Sequence, residues 1–449
     1  MLKYTYKIIL ALVLATFFAK VTFAQNYSLV ERIDVAPVWS GHPVGFQLRT
    51  HKERQFVGFY DQNRNMVIAA RSLDSPNWEF KILPTKVGWD SHNSIALDFD
   101  SDDYLHVSGN MHCVPLIYFR GEKPLDIQSL QKIDAMIGHD EDRVTYPRFL
   151  TGPTGELLYT YRSGSSGNGS QFWNRYDTKT KMWTRLLDTP MFDGEGERNA
   201  YFHGPVLGPD QFYHLCWVWR DTPDCKTNNN ISYAKSKDLV VWTKSDGTPL
   251  ELPIRLQTGE IIDPVLNGEG LLNPNQGIGF DSQDRVVISY TKFDAAGNLQ
   301  LMNARREKDG WKIYQTSDWD YRWFFEGGGS IAMEVTIGSV VRRDGDKLTQ
   351  SYSHIKSGSG NWLLDETTFK PTGKYVSTLR YPTEWHKIEL DWPKVKINRV
   401  RDAGQKSNES PEEIYVLIWE TQSVNRDRPH VGPIPPPSPM RLLHLKREN

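Results

Sequence analysis

One unit recurs along this chain and restricts the fold more than any other feature: a turn rich in Asp or Gly, a strand of about six residues, a polar turn, and a second strand that often ends near a Trp. It occurs at Gln55–Tyr60, Tyr104–Ser108, Leu157–Tyr161, Phe212–Trp219, Arg285–Tyr290, Leu348–Tyr352 and Ile414–Trp419, a spacing of roughly 45 to 70 residues. Helical periodicity is almost absent, whereas short alternating or apolar runs bounded by Gly, Asp, Asn and Pro run throughout. A several-stranded unit repeated at this length is what a blade looks like, and the seven instances predict an all-β fold, a seven-bladed β-propeller. A pair of β-sandwiches is the competing arrangement. The absence of a Pro/Gly-rich linker in mid-chain argues against it, since the one proline cluster, Pro433 to Pro439, lies near the end. The strand-like Arg441–Lys446 then returns to the first blade and closes the ring, hiding the sheet edge.

The first 24 residues read as an export leader: Lys3 and Lys7 precede the apolar run Ile8 to Phe18, and Thr22-Phe23-Ala24 supplies a small-residue cleavage site. The mature protein is expected as one domain over residues 25–449, periplasmic or secreted. No later apolar run reaches the roughly 20 residues of a membrane span, so membrane insertion is not expected. Three cysteines, Cys113, Cys216 and Cys225, allow at most one disulfide. A net charge of −2 gives no support to nucleic-acid binding. Aromatic residues make up 12%, with 15 Trp and 20 Tyr, enough to fill β-rich cores and to supply flat rings for sugars.

The stretch from Gly88 to Cys113 places His92, His106 and His112 within 21 residues. His106, mid-strand between Leu105 and Val107, reads as structural. His92 and His112 stand at strand ends beside Asn93 and Asn110, where a propeller exposes ligand-contacting loops, and imidazoles there can exchange protons near neutral pH. Tyr146 precedes Arg162, which opens a Gly/Ser loop from which a guanidinium can grip a carboxylate, and Arg220 follows the aromatic strand Trp217-Val218-Trp219. Two arginines, two histidines and a tyrosine suit an acidic sugar. His42, between Gly41 and Pro43, is held by an unusual turn. His214 and Cys216 face one side of a strand without a partner pair at zinc-like spacing, so no metal site is assigned.

These stretches resemble the BNR-repeat-like seven-bladed propellers of carbohydrate metabolism over nearly the whole mature chain. That family includes ulvan lyases, lyases that cleave L-rhamnose-α-1,4-D-glucuronate, and the α-L-rhamnosidases of glycoside hydrolase family 145. His92, His112, Tyr146, Arg162 and Arg220 match the lyase pattern in order and context. The resemblance to the rhamnosidases implies a single catalytic histidine on the opposite face, within Gly-His-Pro-Val-Gly-Phe, which here is His42. Ulvan lyases tend to carry zinc near an Asn-His-Asp-Leu-Cys-Tyr segment, replaced here by Asn228-Asn-Asn-Ile-Ser-Tyr. The resemblance therefore implies, first, a hydrolase removing terminal rhamnose from glucuronate in arabinogalactan or gum-arabic-type glycans. A lyase acting by β-elimination and a non-catalytic glycan-binding propeller are the alternatives. The expected partner is a uronic-acid-containing oligosaccharide or polysaccharide, the expected state a monomer, and the only ion allowed for is a structural calcium.

Overall fold

The computed structural model describes residues 26–343, 347–377, 379–404 and 411–448. The leader expected over residues 1–24 lies outside the described residues. The described chain forms seven antiparallel sheets, each of at least four strands, with only single-turn 3-10 segments besides. Each of the seven repeat strands read from the sequence falls in a different sheet and is an interior strand of it, from Arg54–Tyr60 in one to Glu413–Thr421 in the last. The all-β propeller class is thus the observed one.

The repeat is legible because its physical causes are local. Asp61, Asp100, Asp281 and Asp294 each turn a carboxylate oxygen onto the backbone N–H groups two and four residues ahead, which tightens the turn before a strand. The strand that follows is buried on both faces: Leu157 to Arg162 are all buried, as are His214 to Arg220. Such strands sit between neighbouring sheets, where Trp173, Trp217, Trp219 and Trp242 pack as one cluster. His106 is structural, as expected. It is fully buried between the Tyr118 hydroxyl at 2.7 Å and the Asp100 carboxylate at 3.2 Å. His214 repeats that pattern with Tyr233 and Asp210, so both of its ring nitrogens have protein partners. All three cysteines are free thiols.

Closure runs differently from the expected return to the first blade. The N-terminal strand Tyr27–Val38 joins the last sheet as its outermost member, paired with Ser438–Arg447 from Tyr27 opposite Arg447 to Val38 opposite Ser438. Behind this seam Glu420, fully buried, receives the Arg441 guanidinium and the Ser438 hydroxyl, and Arg441 also reaches Glu389 at 2.8 Å. Removing one partner of such a pair leaves a buried charge without a counter-ion. Arg441→Ala is expected to lower unfolding free energy by about 3–5 kcal/mol. Arg32→Ala, which removes the partly exposed contact to Glu389, is expected to cost under about 1 kcal/mol, both measured by urea denaturation.

Candidate active site

The segment Gly88–Ser94 enters the site as a turn that Asp90 organises. Its Oδ1 accepts the His92 backbone N–H at 2.9 Å and His92 Nδ1 at 2.8 Å, while Oδ2 accepts His112 Nδ1. His112 follows Asn110 and precedes Cys113, both in the left-handed region at φ 60° and 57°, so a local kink presents the ring. The two imidazoles lie 4.4 Å apart. Asp427, from the connection before the closing strand, places Oδ2 3.1 Å from His92 Nδ1 and Oδ1 on the Ser91 backbone N–H and hydroxyl. With both Nδ1 atoms committed to carboxylates, Nε2 of each ring is left toward a cavity of about 370 Å³.

Tyr146 and Tyr201 form the next wall of that cavity, their rings 6.0 Å apart, with His92 5.8 Å from Tyr146. Tyr146 sits at φ 57° in a bulge between Thr145 and Arg148, which breaks the strand register and re-aims its ring. Arg162 donates to the Tyr201 hydroxyl at 3.3 Å and to Thr145 Oγ1 at 3.1 Å, with its guanidinium 5.0 Å from the Tyr146 ring. Arg220 lies 5.4 Å from the Tyr201 ring, held by the carbonyls of Thr222 and Pro223. Among the described residues neither arginine has a carboxylate partner, a costly state for two buried cations unless an anion arrives.

These neighbours set the acidities. Burial works against charge on His92, but Asp427 and Asp90 outweigh it and hold the imidazolium up to about 9. Burial likewise opposes ionisation of Asp90 and Asp427, yet their histidine partners keep both well below the usual carboxylate range. Burial drives Tyr146 well up. Tyr201 is equally buried, but Arg162 and Arg220 overcome that and pull its phenol down.

The structure corrects two expected sites. His42 is 0% exposed, and the Trp39 indole N–H donates to its Nδ1 at 2.9 Å, which fixes the neutral tautomer with Nε2 buried. Burial pushes its pKa down to about 4. It does not line this cavity. Nor does it belong to an opposite face: Trp89 packs on it, with centroids 5.7 Å apart, and the charges of Asp90 and Asp427 reach it, so it underlies the Asp90 turn. Its Gly-His-Pro turn serves packing, since a Cβ on Gly41 would stand 2.3 Å from the Trp39 ring. Arg162, expected to point outward from a Gly/Ser loop, is 2% exposed because the strand continues to Ser165, and it backs the tyrosines rather than lining the cavity. Asp90, Asp427, Tyr201 and Ser166, whose hydroxyl meets that of Tyr201 at 2.8 Å, were not singled out by sequence. Asp90 lay inside the histidine-rich stretch, but nothing local marks Asp427 or Tyr201.

No metal was assigned from sequence. Asp90, His92 and His112 do bring donor atoms within 4.8 Å of one another, but those atoms are joined by histidine–carboxylate hydrogen bonds. At the segment replacing the zinc motif, Asn229 and Asn230 bond to Asn267 and to each other.

The fold and site define a β-propeller whose pocket has an arginine and no carboxylate in its lining. The model of the BNR repeat-containing family matches residues 54–319, and the chain belongs to that family. A short ulvan lyase isoform from Alteromonas sp. (strain LOR) is 38% identical over 133 residues, 26% of this chain and 25% of that protein. A long isoform from Glaciecola sp. (strain KUL10) is 44% identical over 44 residues, 10% of this chain and 4% of that one. The aligned part thus spans a quarter or less of these relatives. Among solved structures, polysaccharide lyase Uly1 superposes with a TM-score of 0.57 at 13% identity, covering 93% of this chain and 99% of that one. A PL25 ulvan lyase bound to -[GlcA(1-4)Rha3S]- superposes at 0.58 and 11% identity, covering 92% and 95%. These findings overturn the expected glycoside hydrolase: the relatives and the superposing enzymes are lyases, and among the described residues the cavity lining contains no carboxylate side chain to form a hydrolytic pair.

The raised pKa of His92 means its contribution to stability is complete below the pH of a free imidazole's titration and is lost as pH rises through about 9. The depressed Asp90 and Asp427 contribute above the usual carboxylate range and lose that contribution on acidification. Asp427→Asn is expected to drop the His92 titration from about 9 toward the free value of about 6.5, followed by imidazole proton NMR.

Proposed function

We propose that this protein is a polysaccharide lyase that cleaves a uronate-containing polysaccharide by β-elimination at the rhamnose–glucuronate bond. The observation that carries the reading is the pair of buried arginines without carboxylate partners around Tyr201, beside a histidine held as a cation. Arg220 and the His92 imidazolium neutralise the uronate carboxylate, which acidifies the C5 proton. Tyr201, its phenol pulled down by Arg162 and Arg220, takes that proton. The C5–H electrons form the C4=C5 double bond, the C4–O bond breaks, and the leaving oxygen takes a proton from Tyr146, which burial keeps protonated. His112, tied to Asp90, orients the His92 side of the pocket. His42 and Asp427 are positioning residues behind this set, and Arg162 acts through Tyr201. An export leader over residues 1–24 suits a polymer that must be met outside the cell, and the reaction calls for no cofactor.

Incubation with rhamnose–glucuronate polysaccharide is expected to produce the ultraviolet absorbance of a conjugated unsaturated uronate. Tyr201→Phe is expected to lower kcat by about 10²- to 10⁴-fold. Release of free rhamnose without new absorbance, or a Tyr201→Phe enzyme as fast as the parent, overturns the assignment.

A further inference from the structure

A second hollow of about 300 Å³ adjoins the catalytic cavity, with Lys226, Phe293, Arg322, Phe324 and Glu326 in its lining. The two share a wall. Cys225 and Gly328 face the first and Lys226 and Glu326 the second, and the Cys225 N–H donates to the Gly327 carbonyl at 2.9 Å between them. Asp224 pins the wall by accepting the Gly327 N–H at 2.7 Å, with the Lys226 ammonium 3.4 Å from its other oxygen.

The lining is unusual for a surface left to water. Phe324 is 80% exposed although its neighbour Trp323 is buried against Phe325, so the loop is anchored while this one ring is held out. The Arg322 guanidinium stands 4.3 Å from the Phe293 ring and 5.1 Å from the Phe324 ring, and donates to the Gly297 carbonyl at 3.0 Å. No carboxylate pairs with Arg322 among the described residues. Lys226 keeps Asp224 and Glu326 near it, which leaves Arg322 as the cation available to an incoming anion. A flat ring braced by a guanidinium, opening from a pocket with its own unpaired arginines, matches a sugar that has an apolar face and an anionic group.

We propose that this hollow is a subsite for a further acidic sugar unit of the polymer, stacked on Phe324 with its carboxylate or sulfate on Arg322, beyond the units at the cleaved bond. The proposal rests on the polysaccharide-lyase reading. Because the subsite touches only extended chains, it acts on substrate length rather than on chemistry.

The test uses oligosaccharides of the GlcA(1-4)Rha3S repeat in increasing length, with and without sulfate, on the full protein and on Phe324→Ala and Arg322→Gln. Phe324 is exposed, so folding is expected to be unchanged, checked by thermal melting. Both variants are expected to raise KM for the longest chains about 5-fold, the loss of one exposed ring or cation contact, with kcat and the KM for the shortest cleaved chain at the parental values. A penalty of Arg322→Gln that persists on desulfated chains assigns the carboxylate, and one that vanishes assigns the sulfate. Equal KM for parent and variants at every length overturns the subsite while the lyase reading stands. If the parent cleaves none of the chains, the series is repeated as a binding titration. An affinity that grows with length in the parent but not in Phe324→Ala then upholds the subsite and removes the lyase reading, and equal affinities overturn the subsite.

Discussion

The pairing of Tyr27–Val38 with Ser438–Arg447 is the constraint on which the rest of the molecule depends. Sheets arranged side by side have two free ends, and each end exposes apolar faces and unpaired backbone groups unless something joins them. Joining the ends here takes a strand from one terminus and three from the other, and it buries the Glu420–Arg441 charge pair at the seam. The same closure holds the connection between Thr421 and Ser438 against the first blades, and that connection carries Asp427 to Ser91 and His92. Ring closure and active-site assembly are therefore one event seen at two places.

The pocket's chemistry follows from how charge is distributed around it. Carboxylates stand on one side and are spent on histidines; arginines stand on the other with carbonyls, two hydroxyls, a thiol and aromatic rings for company. A sugar acid entering between them meets cations on both sides and no competing anion in the lining. The tyrosines occupy the border, and Tyr201, whose hydroxyl receives Arg162, is the one more ready to ionise. The proposed elimination from a uronate draws its charge neutralisation, its base and its acid from different groups, without a carboxylate being asked to act.

What the sequence revealed and what it hid divide along range. The repeat strands were legible because the Asp-capped turns and two-faced apolar strands are written within a dozen residues. His92, His112, Tyr146 and Arg220 were legible as loop or strand-end residues and do meet at one cavity. Asp427 lies 336 residues from Ser91, so its role exists only once the ring has formed. Tyr201 looks like any aromatic on a strand until Arg162 and Arg220 are seen on either side of it. His42 misled because a Gly-His-Pro turn is compatible with both exposure and tight packing, and only the Trp39 ring beneath Gly41 decides between them.

The seam also ties the pocket to the mechanical state of the ring. Asp427 stands on the connection just ahead of the closing strand, far along the chain from the histidine it secures. Parting the seam consequently frees one of the two carboxylates that keep His92 cationic, while the arginines and tyrosines stand on sheets the seam does not include. A force that separates Tyr27–Val38 from Ser438–Arg447 is therefore felt at the pocket, through the connection that carries Asp427.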